Sequence, residues 1–353
     1  MGGAGAEGGS PWATMNQMLD WLLIGVGDIA TKRVLPAILA EPRSRLVGLV
    51  TRDPAKALPY GVPAFVDLET ALAACGAAAV YVSTPVSLHA PLTIAALRRG
   101  RHVLCEKPMA LSYPEALAMQ QAARESGRIL SIAYYRRMYP KVARAKELIE
   151  AGAIGRPVIA EATAHDWFYP ADGRRAWLID PAMAGAGPLF DTASHRIDLM
   201  NYLFGQPVRV SAHLSTLVHP IPVEDNATVM IEYQSGVRGV VDARRHSRIP
   251  RDEFRVRGTA GEIDLTPLNG PSLVHPGGSE SIAEPENLHY PCIEDFVGAV
   301  LGGTQPRSSG ETALVAEWVI HEALRIGVTH RKETEHADEE PSAPGRLRIA
   351  PVH

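Results

Sequence analysis

Apolar and polar positions follow different patterns in the two halves of the chain. In the first half, short apolar runs end at glycine or polar residues, and amphipathic stretches follow them. Such runs are typical of strands buried on both faces. The pattern predicts strands over 21–24, 46–50, 62–65, 78–82, 102–105 and 129–133, and helices over 29–41, 67–74, 86–99 and 112–127. Strands separated by helices predict a parallel sheet with right-handed crossovers.

The second half is rich in alternating, strand-like segments from 155 to 275, interrupted by a helical stretch at 189–204 and followed by helices over 290–301 and 311–326. We therefore predict an α/β chain: an N-terminal parallel sheet plus a C-terminal α+β domain with a large open, mostly antiparallel sheet. A sheet with helices on one face leaves the other wet or paired with a second copy. We expect Val237, Gly239 and Val241 on that second face, and a homodimer or homotetramer built through the sheet.

Length and composition set the frame for these elements. A chain of 353 residues with 46% hydrophobic and 21% charged residues predicts a globular protein of two domains, at 19–137 and 138–328, whose last helices pack back on the first domain. Residues 1–18 and 329–353 lack apolar periodicity and are predicted to be a disordered extension and a flexible tail. A net charge of −4 and the lack of a long basic run give no reason to expect a nucleic acid. Three unevenly spaced cysteines and no membrane-length apolar run predict a cytoplasmic protein.

A glycine-rich turn follows the first predicted strand. Gly25 permits a tight turn, Gly27 leaves room for a pyrophosphate to approach the backbone, and Ala30 stands at the contact between helix and strand. Asp28 and Ile29 complete the turn, and the helix N-terminus offers N–H groups to phosphates. A plain strand-to-helix turn is the alternative, but the position at the first strand of an alternating pattern favours a dinucleotide site.

The end of the second strand bears on which dinucleotide is bound. NAD enzymes usually carry an acidic residue there, about 20 residues after the glycines. Here the strand ends in Thr51 and Arg52, and Asp53 before Pro54 is typical of a helix N-cap. Thr51 and Arg52 could bind a 2′-phosphate, which favours NADP, although an arginine can also stack on the adenine of NAD.

Two further loops follow parallel strands at the edge where ligands bind in open α/β sheets. The first contains Ser83, Thr84 and Pro85, with His89 one turn later; the second contains Glu106 and Lys107. Ordinary helix capping and a solvated surface lysine are the alternatives. A lysine directly after a buried strand is better placed to hydrogen-bond a substrate hydroxyl.

Asp191 and His195 lie four residues apart, so a helix would bring both to one face. A histidine held by a carboxylate is a suitable proton acceptor near neutral pH. A purely structural pair is the alternative on these two residues alone. A metal site is disfavoured, because there is no second histidine at the required spacing.

Taken together, these segments resemble the Gfo/Idh/MocA oxidoreductase family (glucose–fructose oxidoreductase, inositol dehydrogenase and relatives) over roughly residues 19–328. The matching segments lie at 25–30, 84–89, 103–108 and 191–198, with a helix containing Asp295 and Phe296 and the segment at 309–311 after it. The resemblance implies a Rossmann domain, a C-terminal domain with a large open sheet, and dimers or tetramers. It also implies that Lys107, Asp191 and His195 form the catalytic group, and that Trp177 lies beside the cofactor.

The function expected from the motifs and the resemblance is NAD(P)-dependent hydride transfer at an alcohol or carbonyl carbon of a sugar, sugar derivative or cyclitol. His195 would act as the base, Asp191 would orient its imidazole, and Lys107 would polarise the reacting oxygen. Tyr135, Arg137 and His165 are predicted to bind substrate as well, and the weaker candidates are Arg136, Tyr139, Asp166, Trp167 and Arg174. Two alternatives remain: NAD-dependent glycoside cleavage on the same fold, and a catalytically silent NAD(P)-binding regulator.

Overall fold

The computed structural model of the protein describes residues 17–168, 173 and 175–327. The tail predicted over 329–353, all but the last two residues of the extension predicted over 1–18, and the weak substrate candidate Arg174 lie outside the described residues. Within the described ranges, no helix is both long enough and apolar enough to cross a membrane.

The first sheet has six strands in the order β3-β2-β1-β4-β5-β6, and every neighbouring pair is parallel. The strands are β1 (Leu19–Ile24), β2 (Ser44–Val50), β3 (Ala64–Phe65), β4 (Ala79–Val82), β5 (His102–Cys105) and β6 (Leu130–Ile132). The helices are α1 (Leu35–Ala40, after a π-helical turn at Ala30–Val34), α2 (Leu68–Ala74), α3 (His89–Arg98) and α4 (Tyr113–Ser126), with 3₁₀ turns at Pro54–Tyr60, Val86–Leu88 and Tyr135–Met138. This confirms the predicted parallel sheet. Its strand order reverses between β1 and β4, which opens a ligand crevice at their carboxyl ends.

The second sheet has eight strands in the order β14-β13-β12-β11-β7-β10-β9-β8. They are β7 (Pro157–Trp167), β8 (Pro207–Ser215), β9 (Asn226–Tyr233), β10 (Arg238–Arg244), β11 (His246–Gly258), β12 (Glu262–Asp264), β13 (Ser272–His275) and β14 (Gly278–Ser281). Only β7 and β10 pair in parallel, so the predicted mostly antiparallel sheet is confirmed. The remaining helices are α5 (Pro140–Glu150), α6 (Pro181–Ala184), α7 (Ser194–Phe204, after a π-helical turn at Leu189–Ala193), α8 (Tyr290–Gly302) and α9 (Gly310–Gly327), with a 3₁₀ turn at Ala176–Ile179.

Helices cover one face of the second sheet. On β10, Gly239, Val241 and Ala243 are buried on this face, and a Cβ added to Gly239 would lie 2.8 Å from the sulfur of Met200 in α7. The prediction that Val237, Gly239 and Val241 face a second copy is therefore wrong. The strand alternates as expected, but its small and apolar residues meet the helices of the same chain.

The opposite face, which we call the open face, is dominated by polar side chains that pair with one another across strands. Asp242 on β10 accepts hydrogen bonds from Thr228 on β9 and Arg244 on its own strand, and lies 3.0 Å from His165 on β7. Arg255 on β11 donates to Asp264 on β12. The open face is therefore covered mainly by hydrogen-bonded and ion-paired side chains.

The last two helices return to the first sheet. Phe296 of α8 packs against Trp21 of β1 with ring centroids 5.1 Å apart. Glu317 of α9, 3% exposed, accepts hydrogen bonds from the backbone N–H of Met109 and from the hydroxyl of Tyr134. These contacts fix the segment after β5 and the residues after β6 against the C-terminal helix.

Candidate active site

The glycine turn after β1 has the geometry of a phosphate cradle. Gly25 adopts a φ of 90°, and a Cβ there would lie 2.4 Å from the carbonyl oxygen of Ser83, so only glycine fits. A Cβ at Gly27 would meet nothing within 4 Å, which leaves open space beside its backbone. Ala30 is fully buried against the sheet, and Ile29 and Asp28 lie exposed at the helix start. This arrangement presents helix N–H groups to an anion.

The neighbouring loop also fits a dinucleotide. Ser83 and Thr84 are the two residues before Pro85. Their hydroxyl oxygens are buried without a partner in the described part of the chain. Buried hydroxyls normally find a hydrogen-bond partner, so a bound ligand would satisfy them. The residues present therefore fit the dinucleotide that the glycine turn implies.

Two residues predicted to contact the cofactor have other roles. The ring nitrogens of His89, 1% exposed, lie 2.9 Å from the carbonyl oxygen of Pro108 and 3.0 Å from that of Thr84, so this side chain joins the two loops. The Glu106 carboxylate accepts a hydrogen bond from Tyr81 and lies 3.3 Å from a ring nitrogen of His289. The polar atoms of both side chains have partners inside the protein, and the contact of these two residues with the dinucleotide stays a prediction.

At the end of β2, Asp53 caps the 3₁₀ turn by accepting a hydrogen bond from the N–H of Ala55, as predicted. The Thr51 hydroxyl contacts the backbone of Asp53, and its contact with a 2′-phosphate stays a prediction. Arg52 is exposed. Lys56 was not among the predicted cofactor contacts, and its ammonium donates a hydrogen bond to the carbonyl oxygen of Val26 inside the glycine turn. No periodicity marks this lysine, since it lies in an irregular turn.

A segment from the second half of the chain reaches the glycine turn. The guanidinium of Arg175 lies 3.6 Å from the carboxylate of Asp28, and both side chains are largely exposed. Trp177 follows in the same segment and is half-buried. The segment therefore borders the dinucleotide crevice.

The charged centre of the site joins three distant parts of the chain. The ammonium of Lys107, after β5, donates to the carbonyl oxygen of Asp191 at 2.7 Å and to its carboxylate at 3.0 Å. The other carboxylate oxygen of Asp191 accepts a hydrogen bond from Arg245, the single residue between β10 and β11. Burial alone would raise the pKa of Asp191, but Lys107 and Arg245 together hold it well below its usual range.

His195 lies beside this centre without a hydrogen bond to Asp191. Its ring, 4% exposed, packs edge-on against Tyr135 and Tyr134, with centroid distances of 4.8 and 5.9 Å, and its Nδ1 has no partner in the described structure. Burial lowers the pKa of His195 well below the ordinary value, and the charges of Lys107, Arg136 and Arg196 lower it further. The imidazole is therefore neutral and able to accept a proton at neutral pH.

Three predictions about these side chains are wrong. Asp191 does not orient His195, because its carboxylate is bound by Lys107 and Arg245. Arg137 does not reach the site: all five of its N–H groups are directed at Asp198, Arg307 or Thr312. His165 lies on the open face beside Asp242, away from the helices that carry His195.

Two residues of the site, Arg245 and Asp166, were not predicted or were only weak candidates. Arg245 continues the alternation of Val241 and Ala243 one step beyond the end of β10, so an arginine in line with this apolar face was the available signal. Its guanidinium also lies 4.3 Å from the ring centroid of Phe168. Asp166, only a weak substrate candidate above, is adjacent to His165 and so faces the site. One of its oxygens is buried without a partner among the described residues, and burial raises the pKa of this carboxyl.

No group of three or more His, Cys, Asp or Glu residues that could hold a metal ion occurs in the described part of the chain.

Two models of known protein families match this chain. Residues 19–134 match the oxidoreductase family with an NAD-binding Rossmann fold, and residues 142–264 match the GFO/IDH/MocA C-terminal domain. Among solved structures, the aldose-aldose oxidoreductase from Caulobacter crescentus, crystallised with glycerol, is similar with a TM-score of 0.81 at 27% identity, over 89% of this chain and 99% of that one.

Curated relatives point in the same direction. The 1,5-anhydro-D-fructose reductase of Ensifer adhaerens is 30% identical over 319 residues, which cover 87% of this chain and 94% of that enzyme. The levoglucosan dehydrogenase of Pseudarthrobacter phenanthrenivorans is 34% identical over 210 residues, but this match spans only 52% of the chain and 54% of that enzyme.

The charge arrangement around His195 predicts its titration. We expect the imidazole to be neutral at pH 6, because burial and three nearby cations oppose its protonation. Two-dimensional ¹H–¹⁵N NMR of the ring nitrogens, with the His195 signals assigned by their loss in His195→Asn, measures this directly. A midpoint at or above the ordinary histidine value of about 6.5 would contradict the assignment.

Proposed function

Since the chain belongs to the Gfo/Idh/MocA oxidoreductase family, we propose that it is an NAD(P)-dependent dehydrogenase or reductase that acts on a hydroxyl or carbonyl carbon of a sugar, sugar derivative or cyclitol. One observation carries this proposal: the Lys107 ammonium, held by Asp191, and the buried ring of His195 lie beside the crevice at the carboxyl ends of β1, β4 and β5. The relatives reported above are named as oxidoreductases of sugars or sugar derivatives, so glycoside cleavage and a silent regulatory role are not favoured.

The nicotinamide, when bound, supplies hydride transfer at C4. The residues of this chain handle the proton and the oxygen. In the oxidation direction, His195 accepts the hydroxyl proton, and Lys107 donates a hydrogen bond to the same oxygen as it becomes a carbonyl. Ketone reduction uses the same groups with reversed roles. Asp191 fixes the position of the Lys107 ammonium, and the two tyrosine rings fix the plane of His195.

We further propose that NADP is the preferred cofactor. Arg52 is exposed at the end of β2, and Lys56 lies in the following turn with its ammonium against the glycine turn. No acidic side chain takes the usual ribose-binding place, because Asp53 caps its own turn. Two cations at this point suit a 2′-phosphate.

If Arg52 binds that phosphate, Arg52→Ala should weaken NADP binding much more than NAD binding. Loss of one charge-assisted contact costs about 1.5–3 kcal/mol, or roughly a tenfold to hundredfold rise in Kd. Calorimetric titration of both cofactors measures the difference, and Arg99→Ala, at the exposed residue directly after α3, is a matched control. Equal losses for NADP and NAD would show that Arg52 only stacks on adenine.

The catalytic assignment predicts steep losses of turnover. A panel of sugars, sugar acids, anhydrosugars and inositols, read by absorbance at 340 nm with both cofactors, identifies a substrate. With it, His195→Asn should lower kcat by about 10²–10⁴ and Lys107→Met should also lower it steeply, while dinucleotide binding is retained. Lys146→Met on α5 is a control outside the site. Turnover by His195→Asn at the wild-type rate would refute His195 as the base.

We also propose that a second copy of the chain covers the open face, giving a homodimer or homotetramer. Met230 is half-exposed and lies opposite the partly buried Val240 on the neighbouring strand. These two apolar side chains are surrounded by the ion pairs of the open face, so the surface is polar with an apolar centre. Light scattering at micromolar concentration should find no particles of monomer mass, 38.0 kDa. Met230→Lys should weaken assembly, whereas Leu58→Lys on the first domain should not. A monomeric wild-type protein would exclude this assembly.

A further inference from the structure

A second group of cations lies beside His195, apart from Lys107 and Arg245. Arg136 belongs to the 3₁₀ turn after β6 and is 7% exposed; Arg196 follows His195 on α7 and is 5% exposed. The Arg136 guanidinium lies 5.8 Å from the centroid of the Tyr135 ring, and that ring packs 4.8 Å from the ring of His195. A group bound at Arg136 is therefore separated from the base by one aromatic ring.

The two arginines differ in how their charge is compensated. Arg196 donates to the carboxylate of Asp252 at 2.7 Å and to the carbonyl oxygen of Thr192 at 3.0 Å. The other carboxylate oxygen of Asp252 accepts the backbone N–H of Asn269. Both carboxylate oxygens of Asp252 are thus bound by partners other than Arg136.

Arg136 has no carboxylate partner within the described ranges. Its one hydrogen bond there goes to the neutral amide oxygen of Asn269 at 2.6 Å, and its Nε is buried without a partner. A charge withdrawn from water is costly unless it is paired. A substrate that carries the opposite charge would supply the missing partner at this point.

A third cation lies close to Arg136 and has its own partners. Lys141 is buried nearby, and its ammonium donates to the carbonyl oxygens of Leu265 and Pro267. The charges of Glu284, Asp252 and Asp264 also act on Lys141. Arg196 and Lys141 thus have oxygen partners of their own, whereas the guanidinium of Arg136 has only the amide oxygen of Asn269 among the described residues.

We propose that Arg136 is the anion-binding residue of the substrate site and that the substrate is a sugar acid, with its carboxylate on Arg136 and its reacting hydroxyl between His195 and Lys107. One guanidinium without a carboxylate partner matches one carboxylate, whereas a phosphate would bring up to two negative charges. The planar guanidinium also suits a planar carboxylate. This inference rests on the proposed dehydrogenase function and narrows its substrate class.

The test compares matched pairs: D-glucose with D-glucuronate and D-gluconate, D-galactose with D-galacturonate, and D-glucose 6-phosphate as the phosphate arm. For wild-type enzyme we expect a higher kcat/KM for the acids than for the neutral sugars. Arg136→Gln should lower the ratio of acid to neutral kcat/KM roughly 10- to 100-fold, mainly through KM. The ratio removes any effect that the variant has on His195, which both substrates share. Arg136→Lys should restore part of the preference, and Arg99→Gln, at the exposed residue directly after α3, is the control.

Calorimetric binding of the same pairs to the dinucleotide-loaded protein gives a readout that needs no turnover. Acid-selective binding that depends on Arg136 but brings no oxidation or reduction would refute the proposed function and keep the anion subsite. Turnover of neutral sugars without acid preference would refute the subsite and keep the function. A preference for the phosphate arm would overturn the carboxylate assignment, and an absence of acid-selective binding overturns the subsite whatever the turnover assay shows.

Discussion

The site depends on one carboxylate held between two cations. Asp191 comes from the turn that begins the central helix of the second half, Lys107 from a strand end of the first sheet, and Arg245 from the junction of two strands of the second sheet. Opposite charges this close attract strongly wherever water is excluded. Because the three residues lie far apart in sequence, their pairing also ties the two sheets together at the crevice.

This pairing determines what His195 can do. Both carboxylate oxygens of Asp191 are bound by cations, and no hydrogen bond joins Asp191 to the imidazole in the described structure, so aromatic packing holds the ring. The nearby positive charge that keeps Asp191 ionised also disfavours the protonated form of His195. One arrangement of charge therefore produces a fixed ammonium and a neutral base side by side.

The sequence was sufficient for the elements and for the type of each sheet, because buried strands and amphipathic helices have distinct apolar periods. The sequence was insufficient for predicting which face of a strand is covered by helices and which of two residues a charged side chain binds. Alternation on β10 identified a face with Gly239 and Val241, but not whether helices or a second copy would cover it. His165 and Asp166 are adjacent in sequence but lie on opposite faces of β7. An error of one residue in the prediction therefore moves a candidate from the site to the open face. The four-residue spacing placed Asp191 near His195, whereas its partner Arg245, 54 residues away, is a long-range contact that no local pattern records.

The C-terminal helix α9 contacts both the segment that follows Lys107 and the tyrosine that packs against His195. Glu317 accepts one hydrogen bond from Met109, two residues after Lys107, and one from the hydroxyl of Tyr134, whose ring packs against His195. Burial raises the pKa of Glu317 to about 7, although both hydrogen bonds oppose the shift. Burying a carboxyl group is costly in solvation free energy, and the two segments that Glu317 joins explain why it is found in the core. The helix α9 therefore helps to fix the positions of Lys107 and the His195 ring relative to each other.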